Sequence, residues 1–212
     1  GGVGVFAGRT PFVWISNAFG GTGIERIDLS ASNVPFNPDP FNPPINFPPG
    51  TSAVSADTID PDFKFPMILR TTLAYDRELA YGIRATVEGM FTKTLQDVFY
   101  TNINKVETGK TFWGGPFYSN LNSGFSNVTY LTNTSRGEQQ NISATLDKRF
   151  PFGLYVSGSY AYMKAKAAFE ATSSVAYSNW QFQTQNGNIY EEQLTRSFFE
   201  VPHRFTAILS QN

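Results

Sequence analysis

The sequence predicts an all-β fold, an antiparallel meander of about six long strands that forms part of a transmembrane β-barrel with short periplasmic turns and long extracellular loops. Three observations predict it. The stretch 83–100, IRATVEGMFTKTLQDVFY, alternates throughout, with Ile83, Ala85, Val87, Phe91 and Leu95 on one side and Arg84, Thr86, Glu88, Thr92 and Gln96 on the other. At about 18 residues it far exceeds the roughly 5–6 usual for a strand in a water-soluble domain, as a wall between lipid and a wet lumen does. Second, tight turns at 78–82 and 151–153 alternate with loops at 17–66, 101–127 and 167–201. A soluble sandwich has no reason to sort its connections by length. Third, aromatic residues reach 16%, led by 20 Phe and 10 Tyr, while charged residues stand at 16%, below the soluble average of roughly 25%.

Composition also excludes several classes. A formal net charge of −1 and a pI near 5.9 leave no basic face for nucleic acid. The absence of cysteine excludes disulfides and thiolate metal sites. There is no apolar run of about 18 residues to form a transmembrane helix, and a mean hydropathy of −0.25 is compatible with alternating strands. The chain opens without Met or a basic leader and stops at Leu209-Ser210-Gln211-Asn212 within an alternating pattern. About six strands are also fewer than the roughly eight that close the smallest barrels, and unpaired edges are not tolerated in lipid. Residues 1–212 are therefore expected to be one partial barrel domain, cut from something larger.

In order, residues 2–16 begin as a strand that Pro11 ends, since proline cannot donate to a ladder. Gly2-Val3-Gly4-Val5-Phe6-Ala7 matches a G-x-G-x-x-A dinucleotide fingerprint on paper, but Pro11 and aromatics stand where its helix should open. Residues 17–66 hold nine of the 13 prolines and read as one long loop, with Phe36, Phe41, Ile45 and Phe47 arguing for some packing. Met67 to Arg77 alternates again and makes a hairpin with the strand from Ile83. Residues 101–127 are rich in Asn, Gly and Ser, a second loop. Val128 to Phe150 reads as the next strand region, Pro151-Phe152-Gly153 as a turn, and Leu154 to Lys166 as the strand back. A third loop, with room for one short helix, precedes a last strand from His203. Outward positions include Ile83, Val87, Phe91, Val156, Tyr160, Phe205 and Leu209. Tyr81, Phe152 and Tyr155, beside the short turns, read as the periplasmic aromatic girdle.

Several segments share a family resemblance. Gly1-Gly2-Val3-Gly4-Val5-Phe6-Ala7-Gly8-Arg9-Thr10-Pro11 followed by Val13-Trp14-Ile15-Ser16-Asn17 resembles an outward barrel strand of TonB-dependent outer-membrane receptors, most like the Oar-like group. Asp60-Pro61-Asp62-Phe63-Lys64-Phe65-Pro66 is similar to that family's re-entry from a loop into a descending strand. Leu73-Ala74-Tyr75-Asp76 through Gly82-Ile83 resembles the hairpin that follows, and Val201-Pro202-His203-Arg204-Phe205 resembles the start of a late strand, with Glu200 near the usual acid. The resemblance implies a barrel of about 22 strands, plugged by a separate domain and coupled through a TonB box to the inner-membrane energy machinery. Neither plug nor box is in this sequence, so the implied partners are outer-membrane lipid, the plug of the parent chain and, through that chain, the TonB complex.

Candidate chemistry is sparse. Arg70, Arg84, Glu88 and Asp147 fall on the lumen side, where they pair with one another or with a plug more naturally than with substrate. Trp113, Phe117, Tyr118 and Trp180 lie in external loops, where aromatic faces stack on sugars or peptides, or simply pack the loop. Asp57, Asp60 and Asp62 offer oxygen ligands but lack the glycine and distal glutamate of a calcium loop, so turn formation is the plainer reading. His203 is the sole histidine, and no nucleophile elbow precedes any serine. Asn127-Val128-Thr129, Asn133-Thr134-Ser135 and Asn141-Ile142-Ser143 match the glycosylation pattern by chance in a bacterial protein. No catalysis, cofactor or metal is expected, and a soluble extracellular β-domain that binds glycans or a protein is the competing class.

Overall fold

The alternation along 83–100 marks the longest strand of a twisted antiparallel wall. The computed structural model describes residues 1–24, 36–42, 54–183, 185 and 187–211. Along the chain these form β1 (Gly2–Ala7), α1 (Phe12–Gly20), β2 (Val54–Ile59), β3 (Met67–Glu78), β4 (Ile83–Asn102), β5 (Lys105–Lys110), β6 (Pro116–Asn120), β7 (Phe125–Thr134), β8 (Gly137–Arg149), β9 (Leu154–Ala167), α2 (Ala176–Gln181), β10 (Thr195–Arg196) and β11 (His203–Gln211). The wall runs β1-β3-β4-β8-β9, with β11 beside the lower part of β9 and β10 beside its top. Every neighbour in it is antiparallel. This is the expected six-strand meander.

The short turns are built as their residues dictate. Phe150 and Leu154 close Pro151-Phe152-Gly153, with the Phe150 amide donating to the Leu154 carbonyl at 2.8 Å. Gly153 takes φ 92°, a left-handed conformation that the third residue of such a loop requires and that glycine adopts without strain. On the other turn Tyr81 and Gly82 both have positive φ, 64° and 68°, and the Leu79 amide donates to Ile83 at 2.7 Å.

Three expectations are corrected. The opening segment does not continue as strand: Phe12–Gly20 is a helix, and Pro11 (φ −50°) stands at its start, where a missing N–H costs nothing. The indole of Trp14 donates to the Ser173 carbonyl at 2.7 Å and the Asn17 amide to Ser174 at 2.8 Å, tying α1 to the third loop. The dinucleotide fingerprint still lacks its context, because β1 pairs antiparallel with β3. Second, the long loops are not bare. β2 lies within 17–66 and pairs in parallel with β7, β5 and β6 make a hairpin within 101–127, and α2 and β10 fall within 167–201. Non-local pairing of this kind leaves no local periodicity. Pro35, Pro43, Pro44, Ile45, Phe47, Pro48 and Pro49 lie outside the described residues. Third, Tyr155 is not part of an outward girdle. It faces Arg149 across the ladder, on the lumen side with Asp147, as the period of two requires. Tyr81 and Phe152 are exposed beside the turns.

The strand region expected at 128–150 is two strands, and both pair with β4: β8 along 83–93 and β7 along 97–102. Between them the ladder breaks. Gly137 sits against Thr94 so closely that a Cβ would stand 2.2 Å from its hydroxyl oxygen, so only glycine fits there. At the same level the β3–β4 register slips between Met67 and Ile68. One break line thus divides a lower wall from an upper cap.

The two parts follow different solvents. In the cap both faces of β4 are covered: Val98, Phe99 and Tyr100 pack with Leu131, Phe169 and Ala176, and Trp14, Ile59, Phe63 and Trp180 lean on them. Phe99 and Phe169 meet edge to face, 5.5 Å between centroids. Burying each such side chain contributes about 1.5–3 kcal/mol. Below the break the outward side is bare: Leu73 is 71% exposed, Val87 49%, Leu146 55% and Phe205 79%. No second sheet covers them among the described residues. An apolar face this continuous is unfavourable in water and favoured in a bilayer.

Candidate functional site

The lumen side of the wall is the opposite in chemistry. Successive strands place Thr72, Thr92, Thr86, Ser143, Thr145, Ser157 and Thr206 there by their register, a hydroxyl lining suited to water. Arg84 and Asp147 are direct partners across β4 and β8. Their two contacts, Nε to Oδ1 and Nη2 to Oδ2, are both 3.3 Å, a two-pronged pair that fixes the guanidinium plane. Beside it the Thr86 hydroxyl donates to Asp76 at 2.5 Å. With Glu78, Arg149 and Tyr155 this pair lines a recess of 370 Å³ at the short-turn end. Arg70 is further up, its Nε donating to the Thr92 hydroxyl at 3.3 Å and its guanidinium 5.9 Å from the Phe6 ring. Glu88 lies between Ala74 and Ser143 in the ladder. The four lumen residues therefore share one face but form no single cluster: Arg84 and Asp147 meet, while Arg70 and Glu88 stand apart.

The loop aromatics separate likewise. Trp113 is 89% exposed at the tip of the β5–β6 hairpin, edge to face with Phe112 at 5.1 Å. Phe117 is exposed on β6. The Tyr118 hydroxyl donates to Gly187 at 3.2 Å, and its ring meets Tyr190 at 6.4 Å. Trp180 belongs to α2 and packs on the cap core. Only Trp113 and Phe117 offer an open ring.

What sequence reasoning missed is the asparagine scaffold beneath that hairpin. Asn102, fully buried, donates to Asn127 at 3.0 Å and accepts from the amides of Asn104 and Val128 at 3.1 and 3.2 Å. Asn104 donates to the carbonyls of Asn122 (3.1 Å) and Phe125 (2.7 Å) and accepts from the Asn122 amide at 2.9 Å. The Tyr190 hydroxyl closes the arrangement on the carbonyls of Asn102 and Lys105. The run Thr101-Asn102-Ile103-Asn104 carried the signal, but asparagines in a loop look alike before their partners are known. Asn133 is similarly used, donating to Lys64 (2.8 Å) and Asp97 (3.1 Å).

The loop acids serve structure. Asp60 accepts from the Thr132 hydroxyl at 2.7 Å and the Asp62 amide at 2.9 Å, and these bonds hold it below the usual carboxylate range. Burial pushes Asp57 up. Among the described residues no three His, Cys, Asp or Glu side chains gather as metal ligands. His203 stacks on Tyr160, whose hydroxyl is 2.8 Å from Nδ1, on the outward face beside Phe205 and away from any serine or acid.

Asp97, just above the break, gives a pH test. Burial raises its carboxyl above the ordinary value, Glu170 adds to this, and the hydrogen bond from the Val98 amide opposes it. A carboxyl raised in the fold contributes stability that is complete below its unfolded value and lost as pH rises through the folded one. Asp97→Asn keeps the oxygen that accepts from Val98. It is expected to raise the melting temperature of the cap at pH 7 and to leave it unchanged near pH 3; an unchanged melt at pH 7 would show that Asp97 is not strained by burial.

A family model described as an outer membrane beta barrel domain matches residues 1–210. No curated protein and no solved structure matches the chain.

Proposed function

This chain belongs to the outer membrane β-barrel domain family, and from that premise we propose that it forms part of the wall of a TonB-dependent receptor in a Gram-negative outer membrane. Its parent would move an unidentified substrate across that membrane by energy-coupled transport, with a plug domain against the lumen face. The observation that carries the reading is the division of one sheet into a bare apolar face and a hydroxylated, charged lumen face, topped by a structured cap on the long-loop side. Two motifs that resemble the receptor family support the finer assignment by position. Asp60-Pro61-Asp62-Phe63-Lys64-Phe65-Pro66 leads from the cap into descending β3, and Val201-Pro202-His203-Arg204-Phe205 opens descending β11. The role is non-catalytic. A soluble glycan- or protein-binding domain would need a cover over Val87, Leu146 and Phe205, which stand exposed.

The test is cross-linking of the full-length protein, in its own outer membrane, to the periplasmic domain of TonB. A specific adduct is expected. Adduct formation no greater than for a passive porin would overturn the energy-coupled reading while leaving the barrel in place.

A further inference from the structure

The upper margin of the apolar face carries an unusual charge pattern. Register places Lys93 of β4, Glu138 of β8, Lys166 of β9 and Arg196 of β10 in one cross-strand row, with Lys164 beside Gln140 in the row beneath. All share the outward face with Phe91, Ile142 and Tyr162, which follow directly below. Arg196 is engaged by Glu200, 2.7 Å from its Nε. Lys93, Lys164 and Lys166 enter no ion pair among the described residues, and Glu138 pairs with neither neighbour. Lys93 and Lys164 are exposed.

Three lysines against one glutamate repel one another at the edge of a low-dielectric layer, where screening is weaker than in bulk water. The missing counter-charge has to come from outside the chain. Long lysine stems lie along apolar surface and lift their ammonium groups to the level of lipid headgroups. We infer that this row binds the phosphates of an anionic lipid in the leaflet on the long-loop side, with its acyl chains against Phe91, Ile142 and Tyr162. Continuity of the charged row with the apolar band is what selects a lipid over free phosphate. The inference rests on the membrane placement of the wall and is independent of what the barrel transports.

The test uses the full-length protein extracted in detergent and shown to be recovered from the outer-membrane fraction; failure at that point would overturn the placement, not the lipid site. Native mass spectrometry then follows binding of lipid A carrying two phosphates. A lysine near a charged membrane surface is worth about five-fold in affinity, so the combined variant Lys93→Gln, Lys164→Gln, Lys166→Gln is expected to bind about 100-fold more weakly. Lys148→Gln, at the opposite margin, is expected to bind as wild type. Should the combined variant fail to show the heat-dependent gel shift of a folded barrel, Lys164→Gln alone is expected to lose about five-fold. Unchanged binding in the folded variant, equal binding of lipid A stripped of phosphate, or displacement by an equal concentration of inorganic phosphate would each overturn the site.

Discussion

Val87→Arg is expected to remove about 2–4 kcal/mol from the stability of the wall in a bilayer. Val87 faces outward from β4, paired with Tyr75 on one side and Ala144 on the other. It lies within the bare band, several residues from both the short turns and the lysine row. An arginine there must either enter hydrocarbon or distort the lipid around it. The informative comparison is Ser143→Arg, one ladder step away on the lumen face and opposite Glu88. There the new cation meets water and an acid, and a change below about 0.5 kcal/mol is expected. Urea unfolding of the full-length protein in phosphatidylcholine vesicles measures both. Equal losses at the two positions would sink the assignment of faces.

Asn104→Leu is expected to release the β5–β6 hairpin. Leucine matches asparagine in shape but leaves the Asn122 carbonyl and amide and the Phe125 carbonyl without the bonds Asn104 supplies. A buried group left unpaired costs about 1–3 kcal/mol. Phe125 keeps a second donor, the Asn120 amide at 3.1 Å, so a total near the middle, about 3 kcal/mol, is expected. Amide exchange across residues 105–120 should then quicken by about 100-fold, while 83–93 stays as protected as before. Uniform acceleration would mean that cap and wall open together.

The wall was legible in the sequence because a sheet between two solvents writes its period of two into every strand. Ile83 to Phe91 and Leu154 to Tyr162 needed no partner to be read. Their faces followed, and so did the pairing of Arg84 with Asp147, since both were assigned to the lumen side of adjacent strands. The cap was illegible for the opposite reason. Between Val98 and Asn102 both faces of β4 are buried, so alternation carries no information about what covers them. β2 meets β7 across some 70 residues of chain, and α1 hides behind Pro11, a residue read as a stop when it was a start. Trp180 and Trp113 looked equivalent in sequence, yet one packs a core and the other ends a hairpin.

The break beside Gly137 has one more consequence. The partner strand changes there from β8 to β7, but β4 itself passes through without interruption from Ile83 to Asn102. A single backbone therefore acts as a ruler between the bilayer and the cap. Its 20 residues, at about 3.3 Å each, set the height at which the hairpin and its open rings are held above the cell surface. Lengthening or shortening that strand by two residues would keep every side chain on its own face and move the recognition surface by about 7 Å, so reach and chemistry are separate variables in this architecture.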